Sequence, residues 1–205
     1  MTDPIIALDA DGVLLDYHAS YRQAWQQALG HLPELRDPQA YWPMDRWHVQ
    51  RLEGERLETF RACFDEDFWS SISPLPGALD ACRLLSEAGY RLVCVSALKP
   101  RFQAARLRNL RDHGFPIEVV IATSADTTTG LSPKSAVLKE LRPVAFVDDF
   151  LPYFRGIPPQ THAALVTREP NGSPNTGEDL ALLHSQHTTL ADFAAWWLQS
   201  QPLPR

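Results

Sequence analysis

The sequence predicts an α/β protein: a parallel β-sheet covered by helices on both faces and interrupted after its first strand by a helical insertion. Three observations predict this. Short, continuous apolar runs rich in branched residues, the pattern of fully buried strands, recur along the chain. From about residue 77 onward these runs alternate with helical patterns, and a β-α-β-α-β order implies parallel strands with crossover helices. Between residues 16 and 73 the alternation stops, and that stretch is polar and aromatic with no convincing strand.

Pro4-Ile5-Ile6-Ala7-Leu8 is the first strand. It runs into Asp9 and is closed by the turn dipeptide Asp11-Gly12. Tyr17 to Leu29 reads as one helix and Asp45 to Trp69 as one or two more. Phe60, Phe64 and Phe68 recur every fourth residue, which marks one helix face and reads as the insertion's own core. The sheet resumes near Pro74-Leu75-Pro76-Gly77. Gly77 to Ala88 predicts a helix with Ala78, Ala81, Leu84 and Leu85 on one face and Gly89 as its stop. Arg91 to Val95 is the second strand, with Ser96 at its end. Arg101 to His113 predicts a helix that is basic on its outer face and closed by Gly114. Ile117 to Ala122 is the third strand.

Ser132-Pro133-Lys134 opens the next helix, with Ser as N-cap, Pro in the first turn and Lys134 beside it. Val144 to Val147 is the fourth strand and runs into Asp148-Asp149. His162 to Val166 is a fifth, inside the Pro/Gly-rich stretch from Gly156 to Gly177. Ala191 to Gln199 predicts an amphipathic helix whose Trp196 and Trp197 pack on the sheet. His184 and His187, on a polar segment without further ligands, read as solvated surface. Gly172 and Gly177 have the spacing of a phosphate-cradling loop, but Glu178-Asp179 follow where Lys and Ser or Thr are required, so no cradle is supported.

The 205 residues are 44% hydrophobic and 21% charged, the balance of a folded globular chain rather than a disordered one. Nineteen basic against 25 acidic residues give a formal charge of −6. That argues against a nucleic acid polymer or an anionic membrane as the main partner, and the expected partner is a small soluble molecule. The 3 cysteines, Cys63, Cys82 and Cys94, form no CxxC pair, so they read as reduced, buried thiols. No apolar segment approaches the ~20 residues of a membrane helix, and the first residues carry no leader pattern. The chain therefore reads as cytoplasmic; its oligomeric state is left open.

Two of the predicted strands end in carboxylates, Asp9 and Asp148-Asp149. In open α/β sheets ligands bind outside the carboxyl ends of the strands, so these acids are expected along one edge. Clustered there without a partner, their pKa values would rise. A divalent cation removes the conflict, and a site of Asp9, a main-chain carbonyl and one of Asp148 or Asp149 suits Mg2+. Asp9 and Asp11 lie two residues apart, with Gly12 letting the chain turn away. One carboxylate at such a spacing can attack phosphorus while the other protonates the leaving oxygen and later deprotonates water. Ser96 can hold a phosphoryl oxygen, and Lys134 can offset the gathered negative charge. Lys134 otherwise stands against the helix dipole, at a cost of ~0.3–1 kcal/mol.

In this order, DADGVLLD, Ser96, Lys134 and VAFV followed by Asp148-Asp149 resemble the four motifs of the haloacid dehalogenase superfamily. The stretch SPLPGALDACRLLSEAGYRLVCVS resembles the segment by which members with a helical cap return to the sheet. The resemblance implies a three-layer Rossmann-like core over residues 1–15 and 74–205 and a small α-helical cap over residues 16–73. It implies that Asp9 is the nucleophile and Asp11 the acid/base. Mg2+ is then held by Asp9, the Asp11 carbonyl and Asp149, with Asp148 in support. Dehalogenase members lack the second aspartate, so Asp11 favours phosphoryl transfer. The expected activity is Mg2+-dependent hydrolysis of a small phosphorylated metabolite through an aspartyl phosphate. The alternatives are a phosphomutase acting on sugar phosphates and a non-catalytic interaction module. FWSSISPLPGAL is similar to the 5'-deoxyribonucleotidases of the same superfamily. A 5'-nucleotide would suit Trp42, Trp47 or Trp69 as a ring stacked on its base. Arg22, Arg46, Arg51 and Arg56 offer charge for a second anionic group.

Overall fold

The computed structural model describes residues 3–124 and 130–200. Six parallel strands form one sheet in the order β3-β2-β1-β4-β5-β6. They are β1 (Ile5–Leu8), β2 (Arg91–Ser96), β3 (Ile117–Ala122), β4 (Ala145–Asp148), β5 (His162–Val166) and β6 (Ser185–His187). The chain builds outward from β1 through β2 to β3, then returns to β1's other side as β4. The strand order therefore reverses at β1, and the crevice that reversal opens lies at the carboxyl ends of β1 and β4.

Period-two alternation divides the strands between two cores. Ile6, Leu8, Cys94, Ala145 and Val147 face one way, while Ala7, Val93, Val95 and Phe146 face the other. Both sides are dry, which is why these strands read as unbroken apolar runs. Onto the first face pack α5 (Ala78–Glu87) through Ala81, Cys82 and Leu85 and α8 (Leu190–Ser200) through Phe193, Ala194 and Trp197. Leu110 of α6 (Gln103–Asp112) joins them. On the opposite face lies α7 (Ser135–Leu141), through Leu138. The result is the expected three-layer α/β arrangement.

Between β1 and α5 come α1 (Tyr17–Leu29), α2 (Pro43–Arg46), α3 (Gly54–Ala62) and α4 (Glu66–Ser70). The chain leaves and rejoins the sheet side by side: Asp16 N donates to Ser73 O (2.8 Å) and Leu75 N to Leu14 O (2.9 Å). Where one or two helices were expected from Asp45 to Trp69, three short ones occur. Glu53 at the start of α3 is extended, Gly54 has φ +55°, and Asp65 caps a fresh helix by accepting from Phe68 N. Phe60, Phe64 and Phe68 thus do not share one helix. Their rings still pack in series, edge to face and tilted, 5.0 and 4.7 Å between centroids, as the core of the insertion.

Other expectations need correction. Leu84 is 52% exposed, and Cys82 takes the inward place on α5. Ser132 Oγ accepts from Lys134 N, and α7 begins only at Ser135, so Lys134 stands at the N-cap. The strand β6 was not expected, because Ser185-Gln186-His187 has no apolar pattern. His187 is half-buried rather than solvated surface, whereas His184 is exposed as expected. His184 Nδ1 accepts from Ala163 N (2.9 Å), and the rings of His162 and His187 both lie 5.2 Å from that of Trp196. Ser185 Oγ is hydrogen-bonded to both His162 and His187. Polar pairing of this kind finishes the sheet's edge. The three cysteines are free and buried as expected, and burial pushes Cys94 up to about 12.

Burial, with His184 and His187 beside it, lowers His162 to about 4. The unfolded chain takes up that proton near 6.5 and the folded chain does not. The contribution is therefore present above pH 6.5 and is lost as pH falls toward 4. In thermal melts across that window the wild type is expected to lose several degrees relative to His162→Phe. Parallel curves would contradict the prediction.

Candidate active site

Four carboxylates gather at the crevice. β1 and β4 are neighbours, so Asp9, just past β1, stands beside Asp148, the last residue of β4. Asp9 N donates to Val147 O (2.9 Å), which ties the two strand ends together. One oxygen from each of Asp9, Asp148 and Asp149 lies within 4.8 Å of the others, and all three residues are buried. Asp11 follows on the same loop. Gly12 has φ +90°, and a Cβ there would meet Asp149 Oδ2 at 2.2 Å, so this glycine supplies both the turn and the room for Asp149.

Three cations answer these acids. Lys134 is wholly buried, with Nζ 2.5 Å from Asp9 Oδ1 and 2.6 Å from Asp148 Oδ2. Arg106 Nη2 reaches both Asp11 oxygens, at 2.7 and 2.9 Å. Arg168 Nη2 lies 3.1 Å from Asp149 Oδ2. Burial would depress Lys134, but the charges of Asp148 and Asp9 reverse this and hold its ammonium above the usual range. Burial raises Asp148 well above an ordinary carboxylate, against Lys134. It raises Asp149 to about 6 against Arg168, and raises Asp11 against Arg106. With all seven groups ionised, four negative charges face three positive ones. Buried oxygen donors at this spacing, one negative charge in excess, fit a small hard divalent cation.

A cavity of about 350 Å³ opens above the acids. Asp9, Asp11, Ser96 and Asp149 form its base, and Tyr17, Tyr41, Trp42 and Trp69 of the insertion enclose it. Phe150, Tyr153, His18 and Arg168 also line it. The main chain of Asp149 is held from two sides, its carbonyl accepting from Tyr41 Oη (3.4 Å) and Asn175 Nδ2 (2.8 Å).

The family model for haloacid dehalogenase-like hydrolases matches residues 4–151. The chain belongs to that family. The fold of this haloacid dehalogenase-like hydrolase is also that of several solved structures. One is a HAD family hydrolase from Deinococcus radiodurans R1 with bound phosphate and sodium, 16% identical, TM-score 0.58, covering 97% of this chain and 96% of that one. Another is the haloacid dehalogenase-like family protein SP0104 from Streptococcus pneumoniae, 15% identical, TM-score 0.63, covering 95% and 98%. A third is the L-2-haloacid dehalogenase from Xanthobacter autotrophicus with chloropropionic acid covalently bound, 13% identical, TM-score 0.57, covering 98% and 100%. Among curated proteins no sequence match is found.

Of the residues singled out in the sequence, Asp9, Asp11, Ser96, Lys134, Asp148 and Asp149 converge in the hydrolase at one place. Trp42 and Trp69 line the cavity, Trp42 with 43% exposure. Trp47 does not. It is buried against the guanidinium groups of Arg22 and Arg46, 5.2 and 5.9 Å from its ring, beside a separate cavity. Helix α6 was expected to be basic on its outer face, yet Arg106, one of its arginines, is fully buried. Its spacing was the signal: Phe102, Arg106 and Leu110 recur every four residues, so Arg106 shares a face with two core residues. Arg168 comes two residues after β5 and reaches the same carboxyl edge, a place that follows once β5 is set beside β4.

Proposed function

We propose that this hydrolase cleaves phosphomonoesters of a small metabolite through a phosphoryl group carried on Asp9. The observation that supports this most is the placing of Asp9 and Asp11 on one loop beneath a single cavity, with Lys134 and the Asp148-Asp149 pair behind them. Lys134 holds Asp9 Oδ1, which turns the carboxylate's other oxygen to the incoming phosphorus. That oxygen forms the new P–O bond as the ester P–O bond breaks, and Asp11 gives its proton to the departing oxygen. Asp11 then takes a proton from water, whose oxygen displaces Asp9 from phosphorus and releases inorganic phosphate. Ser96, buried at the end of β2, is placed to hold a phosphoryl oxygen. Mg2+, held by Asp9, Asp149 and the Asp11 carbonyl with Asp148 in support, supplies neutralisation of the phosphoryl oxygens.

In this reading residues 16–73 act as the cap, closing off water and choosing the leaving group. The rings of Tyr41, Trp42 and Trp69 suit a leaving group with a flat face, such as the base of a 5'-nucleotide. The purified protein is expected to release phosphate from an aryl phosphate with Mg2+ and to lose that activity with EDTA. Halide release from a 2-haloacid without phosphate release would overturn the proposal.

A further inference from the structure

We propose that Arg106 is the positioning residue for Asp11, fixing from behind the cavity the direction in which that carboxyl faces the leaving oxygen. The inference rests on the phosphoryl-transfer reading above. Arg106 has no exposed surface and does not line the cavity, whereas Asp11 and Trp69, which its guanidinium contacts, both do. Whatever Arg106 does to a substrate it does through them. Its Nη2 takes both Asp11 oxygens, and the guanidinium carbon lies 5.2 Å from the Trp69 ring. Arg106 Nε and Nη1 have no hydrogen-bond partner among the described residues.

A dry guanidinium with two unpaired nitrogens is a poor choice for stability. An apolar side chain beside Phe102 and Leu110 would pack there without that cost. A residue that breaks a local rule in this way is expected where function needs it. Asp11 needs it because it stands on a glycine turn with two free side-chain torsions. Proton transfer to the leaving oxygen demands one hydrogen-bonding direction within a few tenths of an ångström. Arg106 selects that direction, and Trp69 carries the same clamp to the insertion.

The test uses two substrates with the Mg2+-loaded protein. A nitrophenyl phosphate loses a phenolate that needs no proton, whereas an alkyl phosphate must be protonated as it leaves. Because kcat/KM covers transfer to Asp9, it reports the acid step. Arg106→Met is expected to lower kcat/KM by about 10²-fold on the alkyl ester and by less than about 3-fold on the aryl ester. Arg106→Lys, which keeps the charge, is expected to fall between. Adding Arg106→Met to Asp11→Asn should cost nothing more on the alkyl ester. Equal losses on both esters, or no loss on either, would overturn the inference. If circular dichroism shows Arg106→Met unfolded, the comparison is made on Arg106→Lys, where unequal losses support the inference and equal ones overturn it. A wild type inactive on both esters would instead remove the phosphoryl-transfer reading, and this inference with it.

Discussion

Asp9→Asn is expected to give a folded protein whose turnover is reduced at least about 10³-fold. The amide has the size of the carboxylate, and its oxygen can still accept from Lys134, so the packing around β1 and β4 is preserved. What is lost is the anionic oxygen that attacks phosphorus. The substitution also removes the one negative charge by which the acids outnumber Lys134, Arg106 and Arg168. The melting temperature is therefore expected to hold or rise while turnover collapses. Steady-state phosphate release checks the rate, and intact-protein mass spectrometry of the quenched reaction checks whether the wild type, but not the variant, carries a phosphoryl group. Turnover within tenfold of wild type would take Asp9 out of the role of nucleophile.

The central strands were legible because both of their faces are dry. IIAL, RLVCVS and AFVD lie between two cores, so their apolar runs are uninterrupted and each is closed by a polar residue at the same edge. That regularity placed Asp9, Ser96 and Asp148 together before any geometry was known. β6 was hidden for the opposite reason. An edge strand of Ser, Gln and His is held by side-chain hydrogen bonds and by Trp196, and no periodicity records such pairing. The insertion was legible as helical but not in its breaks, which depend on Gly54 and on the Asp65 cap.

Charge was harder to read than fold. Arg106 looks like a surface residue by type, since Lys and Arg are almost never fully buried unless paired, and only its place against the helix dipole singled out Lys134. Their partners are distant in sequence: Asp9 lies 125 residues before Lys134, and Asp11 lies 95 before Arg106. Only the strand order brings them together. Trp47 failed in the other direction. An aromatic residue in an aromatic stretch looked free to meet a ligand, but it is buried with two arginines from the same insertion over its ring.

Lys134→Met is expected to destabilise the metal-free protein by about 3–5 kcal/mol, the usual cost of breaking a buried ion pair by removing one partner. Methionine fills the volume but leaves Asp9 and Asp148 without the ammonium that contacts both, and these acids are within 4.8 Å of each other and of Asp149. Three carboxylates so placed cannot all stay ionised in a dry crevice, so the variant is expected to bind protons on folding that the wild type does not. A divalent cation would do part of the lysine's work. Mg2+ should therefore raise the melting temperature of Lys134→Met by more than it raises that of the wild type. Asp148→Asn in the same chain removes one of the stranded charges and should recover part of the loss. Denaturant unfolding and thermal melts in EDTA and in Mg2+ read the cost, the response to Mg2+ and the recovery, and repeating the unfolding across pH reads the proton uptake. A cost below about 1 kcal/mol, with no difference in the response to Mg2+, would mean that the lysine's charge is not what keeps these acids together.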